Sequence, residues 1–419
     1  MKYPQMVRVK QNFQRPVLDD VPAAVRAQLD AIGLDQTIKP GQTVALTGGS
    51  RGIANIPLIL RTVADYLKDL GAEPFLFPAM GSHGGGTPEG QREVLEGYGM
   101  TEEFLGIPLK SSLDVVQVGT TNDGFPVYLD KLASEADHIG VINRVKPHTN
   151  FNGPLESGLC KMMMIGLGKW RGAQQYHRLL LSHPFYETAK NVVSYLLSNA
   201  SITFGVGIVE NPYDETAYIE AVKPDNLIER EEAMLVKAKD WMPRLPLKNA
   251  DILIIDEMGK NISGSGIDTN IVGRKRAFKT APPAAGQPEM RFIFVRSLTE
   301  ASHGNGAGIG LADFASKRLI DSLDYRATVI NCVTSGNPEG ANLPVHYETD
   351  KEVLDASLPI IGGRLPEQAR ILHIRNTLHV GELEMSTPCL DEPKYETEFE
   401  IQGEPYDIAL NEEGILTPI

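Results

Sequence analysis

Residues 43–77 read TVALTGGSRGIANIPLILRTVADYLKDLGAEPFLF, and their pattern is that of a parallel α/β unit. Thr43–Leu46 is a short apolar run of strand type. A Gly-rich loop, Thr47–Ile53, follows it. Ile56–Leu70 places apolar residues at helical spacing, Gly71 is positioned to end that helix, and Pro74–Phe77 starts the next strand. Strand, loop, helix and strand in this order predict parallel pairing with the helix as crossover. The same alternation continues outward. A helix is expected over Glu89–Tyr98, strands over Ile139–Ile142 and Ile202–Ile208, and a charged helix over Glu229–Lys239. The Pro-containing segment MPRLPLKN then separates these from a new strand at Asp251–Ile255, so a boundary near Lys248 divides the chain into domains 1–247 and 248–419. The second half is read as a strand at Arg291–Val295, a helix at Ala312–Leu323, strands at Ala327–Asn331 and Ile371–Ile374, and short strands and turns from Thr387. The expected fold class is α/β: two α/β domains with mostly parallel sheets and an active site in the cleft between them.

Composition agrees with a globular chain long enough to bury several cores. Of 419 residues, 42% are apolar and 22% charged, which argues against disorder and fibrous repeats. The formal net charge of −14 would repel phosphate backbones, so nucleic acid is not an expected partner. Cys160, Cys332 and Cys389 form no Cys-x-x-Cys pair, which excludes zinc-ribbon and disulfide-scaffold readings. The opening MKYPQMVRVKQNF lacks the apolar core of a signal peptide, and no apolar run reaches the length of a membrane span. A cytoplasmic protein without a membrane partner is therefore expected, with self-association left open.

In doubly wound folds, ligands sit in the loops at the carboxyl ends of strands. Those loops are rich in chemistry here: Thr47–Ile53, then Gly81-Ser82-His83-Gly84-Gly85-Gly86-Thr87, then Asn143-Arg144-Val145-Lys146-Pro147-His148. Gly158–Lys161, Gly166–Lys169 and His177 follow. Gly-rich turns let backbone N–H groups approach a ligand, and helix N-termini favour anions. Of nine histidines, His83, His148, His177 and His303 adjoin glycines, basic groups or turns. A histidine serves as acid or base near neutral pH without extensive tuning, although a lone one is usually a structural or solvent-facing side chain. Lys161 lies within LCKMMMIGLG, which suits either a snorkelling lysine or a desolvated amine able to form covalent adducts. Met162–Met164 is read as core packing. In the second half, Gly259–Asn270 and Ser302–Asn305 are polar, Gly-rich segments after strands.

VALTGGSRGIA also has the look of a short-chain dehydrogenase, and Tyr186-Glu187-Thr188-Ala189-Lys190 supplies a Tyr-x-x-x-Lys. Against an NAD(P)-dependent oxidoreductase stand Ala54 at the last fingerprint glycine, the missing serine upstream of Tyr186, and the chain length.

GGSRGI, AMGSHGGGTPEGQ and RVKPHTNFNGPLESGLCKMMMIGLGKWRGAQQYH, taken together over Gly41–His177, resemble the lactate racemase family, whose members use a nickel-pincer nucleotide. The spacing from lysine to histidine, sixteen residues from 161 to 177, is that of the family. The resemblance implies that Lys161 attaches to the pyridinium-3-thioamide-5-thiocarboxylic acid mononucleotide. It implies that His177 is the protein ligand to nickel, as suits imidazole. His83 and His148 would be the acid/base pair. Gly49, Ser50 and Arg51 would contact the cofactor, and Arg51 and Lys146 the substrate. Two features depart from the family: Gly48 stands where members carry an acidic residue, and Thr149–Cys160 is longer and contains Glu156. They point to a divergent subgroup, and lactate itself is not assigned.

The leading expectation is a racemase or epimerase of a 2-hydroxy acid acting by reversible proton-coupled hydride transfer. Its partners would be a small anionic substrate, suited to Arg51, Arg144, Lys146 and Lys161, and the enzymes that build the cofactor. The alternatives are the oxidoreductase above and a non-catalytic nucleotide- or metal-binding protein on the same scaffold.

Overall fold

A computed structural model describes residues 1–180, 182–275, 286–393 and 398–419, the side chain of His177 excepted. The chain forms two compact units. One is Gln14–Met242, and the other joins Met1–Phe13 to Pro243–Ile419. Both are α/β.

The sheet of the first unit runs in the order Glu73–Pro78, Thr43–Gly48, His138–Arg144, Ile202–Glu210, Thr216–Val222. The first four strands are parallel and the last is antiparallel. The helix Ile56–Asp69 forms because Pro57 occupies its first turn and Ile59, Leu60, Val63 and Leu67 recur on one face. That face is fully buried in a core with Val44, Leu46 and Leu76 of the sheet. The helix stops at Leu70 and Gly71, whose φ of +80° suits glycine.

The second unit holds an eight-stranded sheet in the order Val345–Tyr347, Phe314–Ser316, Glu289–Leu298, Asn249–Met258, Ile371–Ile374, Glu382–Ser386, Met6–Gln11, Phe399–Tyr406. Its first five strands are parallel and the rest antiparallel. Strand Asn249–Met258 is buried almost throughout, as a central parallel strand covered on both faces requires.

Two expectations are corrected here. Ala327–Asn331 lies inside the helix Tyr325–Thr334, not in a strand. Its β-branched residues suggested a strand, but Asp324 caps the helix by accepting the Ala327 N–H at 2.9 Å. Ala312–Leu323 is not one helix either. Phe314–Ser316 pairs with Phe294 and Val295, and only Lys317–Asp321 is helical, capped by Ser316. Met6–Gln11, which precedes the first unit in sequence, pairs into the sheet of the second.

One buried ion pair ties the site-bearing elements of the first unit together. Lys169, with φ of +48°, opens the helix Lys169–Leu179. Its Nζ lies 3.0 Å from Asp130 Oδ2 and donates to the Pro78 carbonyl at 2.7 Å. Both side chains are buried, at 1% and 0% exposure. Burial pushes the Asp130 carboxyl up and the Lys169 amine down, against their mutual attraction. Asp130→Asn should therefore cost about 3–5 kcal/mol in urea unfolding of the full chain, because it strands a buried lysine. Adding Lys169→Met should recover most of that loss. A single variant within about 1 kcal/mol of the parent would show that the pair is not an anchor.

Candidate active site

Strands Thr43–Gly48, Glu73–Pro78 and His138–Arg144 are neighbours in the sheet, and each opens at its carboxyl end into a loop of candidate residues. The first loop meets the other two. A Cβ on Gly49 would lie 3.2 Å from Met162 Cε and 3.7 Å from Asn143 Oδ1, so little beyond glycine fits between them. Ser50 Oγ lies 3.2 Å from His83 Nε2. Glu210, at the end of the strand Ile202–Glu210, accepts the Ala54 N–H at 2.7 Å and pairs with Arg144. Arg144, expected among the cations available to an anionic ligand, is thus already bound to a carboxylate.

His148 is fixed from three sides. Its backbone N–H donates to Glu156 Oε2 at 2.7 Å. Its Nδ1 accepts from the backbone N–H groups of Asn150 and Phe151, at 3.0 and 3.2 Å, which assigns the ring proton to Nε2. The ring stacks on Phe151 at 4.1 Å between centroids, and Phe151 stacks on Phe185 at 4.1 Å. Glu156 is itself buried and meets Lys239 Nζ at 2.7 Å. The residue that set this chain apart from the family pattern therefore holds the His148 loop in place. Lys146 pairs with Ser157 through two backbone hydrogen bonds, of 2.8 and 3.2 Å, closing the same loop.

Lys161 sits where these loops converge. The one-turn helix Leu159–Lys161 runs into a π-helical turn, Met162–Gly166, a wide turn often found at functional sites. Met162, Met163 and Met164 are all buried. Glu231 holds the approach to the lysine, since its Oε2 accepts the Cys160 N–H at 2.6 Å. A Cβ on Gly158 would come within 2.2 Å of Glu231 Oε1, so any other residue would displace the Glu231 carboxyl. Burial pushes the Glu231 carboxyl up to about 7. The Lys161 Nζ lies 6.0 Å from the Phe151 ring centroid, and among the described residues it has no hydrogen-bond or ion-pair partner. Burial, followed by the charges of Arg51 and Lys146, lowers its pKa from 10.5 to about 8. Arg51 itself lies exposed in the first loop.

The structure thus gathers Gly49, Ser50, Arg51, His83, Lys146, His148 and Lys161. The backbone of His177 belongs to the helix Lys169–Leu179, but its side chain lies outside the described residues. Among the described residues no three His, Cys, Asp or Glu side chains gather as a metal site. The Tyr186 hydroxyl donates to Glu232 at 2.9 Å, which engages the phenol that a dehydrogenase would use. Gly259–Asn270 and Ser302–Asn305 are joined by a bond from Lys260 N–H to Ser302 Oγ at 2.9 Å. His303 there is a turn residue with φ of +48°. Cavities of about 370 and 660 Å³ in the second unit are lined by residues such as Asp256, Arg296 and His373, and by none of the candidates. Phe151, Phe185 and Glu231 went unread in the sequence, since nothing local marks an aromatic stack or a carboxyl that arrives from a distant helix.

The candidate site is thus an amine with no hydrogen-bond or ion-pair partner among the described residues, set among the strand-end loops of an α/β unit that also bear two histidines. Residues 6–189 match the family described as the lactate racemase N-terminal domain. No curated protein sequence matches the chain. Among solved structures, the lactate racemase apoprotein from Thermoanaerobacterium thermosaccharolyticum shares the fold, with a TM-score of 0.56 over 90% of this chain and 99% of that one at 14% identity. Among the described residues no helix is long and apolar enough to cross a membrane.

Because the folded pKa of Lys161 lies below its ordinary value, the folded state takes up that proton less readily than the unfolded chain. The charged amine opposes folding in full below pH about 8, and the penalty fades as pH rises toward 10.5. Lys161→Met should accordingly raise the melting temperature at pH 7 and raise it less at pH 10. A lower melting temperature for the variant at pH 7 would contradict the desolvated amine.

Proposed function

We propose that this chain is a racemase or epimerase of a 2-hydroxy acid that works with a nickel-pincer nucleotide. The observation that carries this reading is Lys161, a partly desolvated amine with no counter-ion among the described residues, set among loops that also bear His83 and His148. A lysine poised in this way is a nucleophile at neutral pH, as covalent attachment to a pyridinium carboxyl derivative demands. The positive field of Arg51 and Lys146 beside it fits a cofactor that brings a phosphate and a thiocarboxylate. His177 would supply the protein's ligand to nickel, and Gly49 and Ser50 would line the cofactor. When bound, that cofactor supplies the acceptor and donor of the C2 hydrogen, which travels as hydride.

The protein's own residues handle the carboxylate and the proton. Arg51 would hold the substrate carboxylate through two parallel N–H···O bonds, with Lys146 adding charge. As C2 gives up its hydrogen, one histidine takes the hydroxyl proton and the substrate becomes a planar 2-keto acid. When C2 is reduced from the other face, the second histidine returns a proton to the carbonyl oxygen. Two acid/base groups are wanted because one base does not easily serve both faces. His148 has its proton on Nε2, ready to donate. His83 has Nε2 within hydrogen-bond reach of Ser50 Oγ, which steers the ring.

The deciding experiment expresses the chain beside the cofactor-building enzymes. Peptide mass spectrometry should find the adduct on the peptide containing Lys161, and metal analysis should find nickel. His83→Ala and His148→Ala should each lose roughly 10²–10⁴-fold in turnover while keeping nickel, and His177→Ala should lose the metal. Turnover by a preparation with unmodified Lys161 would refute the assignment.

Arg51 can be tested separately. Arg51→Lys keeps the charge but loses the planar fork. Affinity for a 2-hydroxy acid should drop, while affinity for the matching neutral amide should hardly change. Equal losses on both would assign Arg51 to the cofactor or the loop.

A further inference from the structure

Glu156 and Glu231 are each 1% exposed, more deeply buried than any other glutamate among the described residues. Both turn an oxygen to a backbone N–H beside a reactive side chain. Glu156 takes that of His148 itself, and Glu231 takes that of Cys160, one residue before Lys161. One helix, Leu227–Asp240, holds both carboxyls. Glu231 belongs to it. Its Lys239 meets Glu156 at 2.7 Å and donates to the Gly153 carbonyl, in the same loop, at 2.9 Å. Glu231 and Lys239 are two turns apart, roughly 12 Å along the helix axis.

Glu231 stands where packing alone would place a different residue. Leu227, Glu231, Met234, Leu235 and Ala238 form the buried stripe of this helix, and every position of the stripe except 231 is apolar. A carboxyl in that row is unfavourable, because burial opposes its charge. The neighbouring Glu232 carboxylate opposes it further, and the backbone N–H of Cys160 offsets part of the cost. The rest of the stripe seats the helix closely on the strand Ile202–Glu210. A Cβ on Gly205 would lie 3.2 Å from Leu227 Cδ1, and one on Gly207 would lie 2.4 Å from Met234 Sδ. The helix is therefore a rigid support with two grips, one on the turn that bears Lys161 and one on the loop that bears His148. Both grips act on backbone or through another side chain.

We propose that Glu231 and the Glu156–Lys239 pair are positioning residues that set Lys161 and His148 independently, each from its own point on one helix. What the two reactive groups do rests on the proposed function, but how they are held does not. A misplacement of about 1 Å at either group is worth roughly 100-fold in rate.

The full chain without cofactor gives the first test. Competitive acetylation with acetic anhydride, read by peptide mass spectrometry, titrates Lys161, and proton–nitrogen NMR correlation of the imidazole reports the tautomer of His148. Glu231→Ala should move the Lys161 pKa from about 8 up toward 10.5, as its turn loosens into water, and leave the His148 proton on Nε2. Glu231→Gln, which keeps an acceptor for the Cys160 N–H, should restore the Lys161 value. Glu156→Ala, and Lys239→Met at a partly exposed position, should mix the His148 tautomers and leave Lys161 near its parent value. Leu60→Ala, a core change in the helix Ile56–Asp69, should lower the melting temperature and move neither signal. Variants at Glu231 and Glu156 that move both signals or neither, or a Leu60→Ala that moves them as far, would overturn the proposal.

In protein made beside the cofactor-building enzymes, Glu156→Ala should lower kcat roughly 100-fold with KM, the Lys161 adduct and nickel unchanged. Glu231→Ala should lower the share of Lys161 that carries the adduct. A parent that never forms the adduct, while the two signals separate as expected, would overturn the cofactor reading and leave the positioning roles standing. An active, adduct-bearing parent whose variants turn over at the parent rate would do the opposite.

Discussion

Holding the half-buried amine of Lys161 beside the charges of Arg51 and Lys146 is unfavourable, and neighbouring elements of the first unit keep it in place. Among the described residues no carboxylate pairs with the amine, as one usually does with a lysine drawn into the interior. The lysine is fixed instead by its surroundings. Glu231 grips the backbone just before it, Met162, Met163 and Met164 pack the turn just after it, and Phe151 lies beside it. A carboxylate in contact would stabilise the fold and restore the charge, and with it the inertness of an ordinary ammonium. Under the proposed function, stability given up at this position would be what a nucleophilic lysine requires. Eight residues further on, the more deeply buried Lys169 is paired with Asp130 and so joins elements of the unit.

The parts of this arrangement that depend on local pattern were legible in the sequence. The strands Thr43–Gly48 and His138–Arg144 and the helix Ile56–Asp69 follow from apolar runs and spacing, and the loops after them follow from glycine and histidine content. Gly49, Ser50, Arg51, His83, Lys146, His148 and Lys161 could be chosen because strand ends are where such folds place their ligands. What failed was what depends on distant partners. Arg144 read as an available cation because Glu210, 66 residues later, is not visible from its neighbourhood. Glu156 read as a departure because its bond to the His148 backbone exists only once the loop is closed. Ala327–Asn331 read as a strand because β-branched residues outweighed a single capping aspartate. The tautomer of His148 is likewise a property of the folded loop, set by two backbone donors that any residue type could have supplied.

The strand Met6–Gln11 has a consequence for how the protein is made. It pairs with Glu382–Ser386 on one side and Phe399–Tyr406 on the other, yet it leaves the ribosome before every other strand and helix of either unit. At about 5–20 residues per second, synthesis of its partners follows only after roughly twenty to eighty seconds. During that interval the unit Gln14–Met242 is synthesised whole, with its residues adjacent in the chain, while a short strand of alternating apolar and charged residues waits with both edges unpaired. Completion of the larger sheet is then a slow closure between segments some 370 to 400 residues apart. The order of events places the site-bearing unit first and the sealing of its neighbour last.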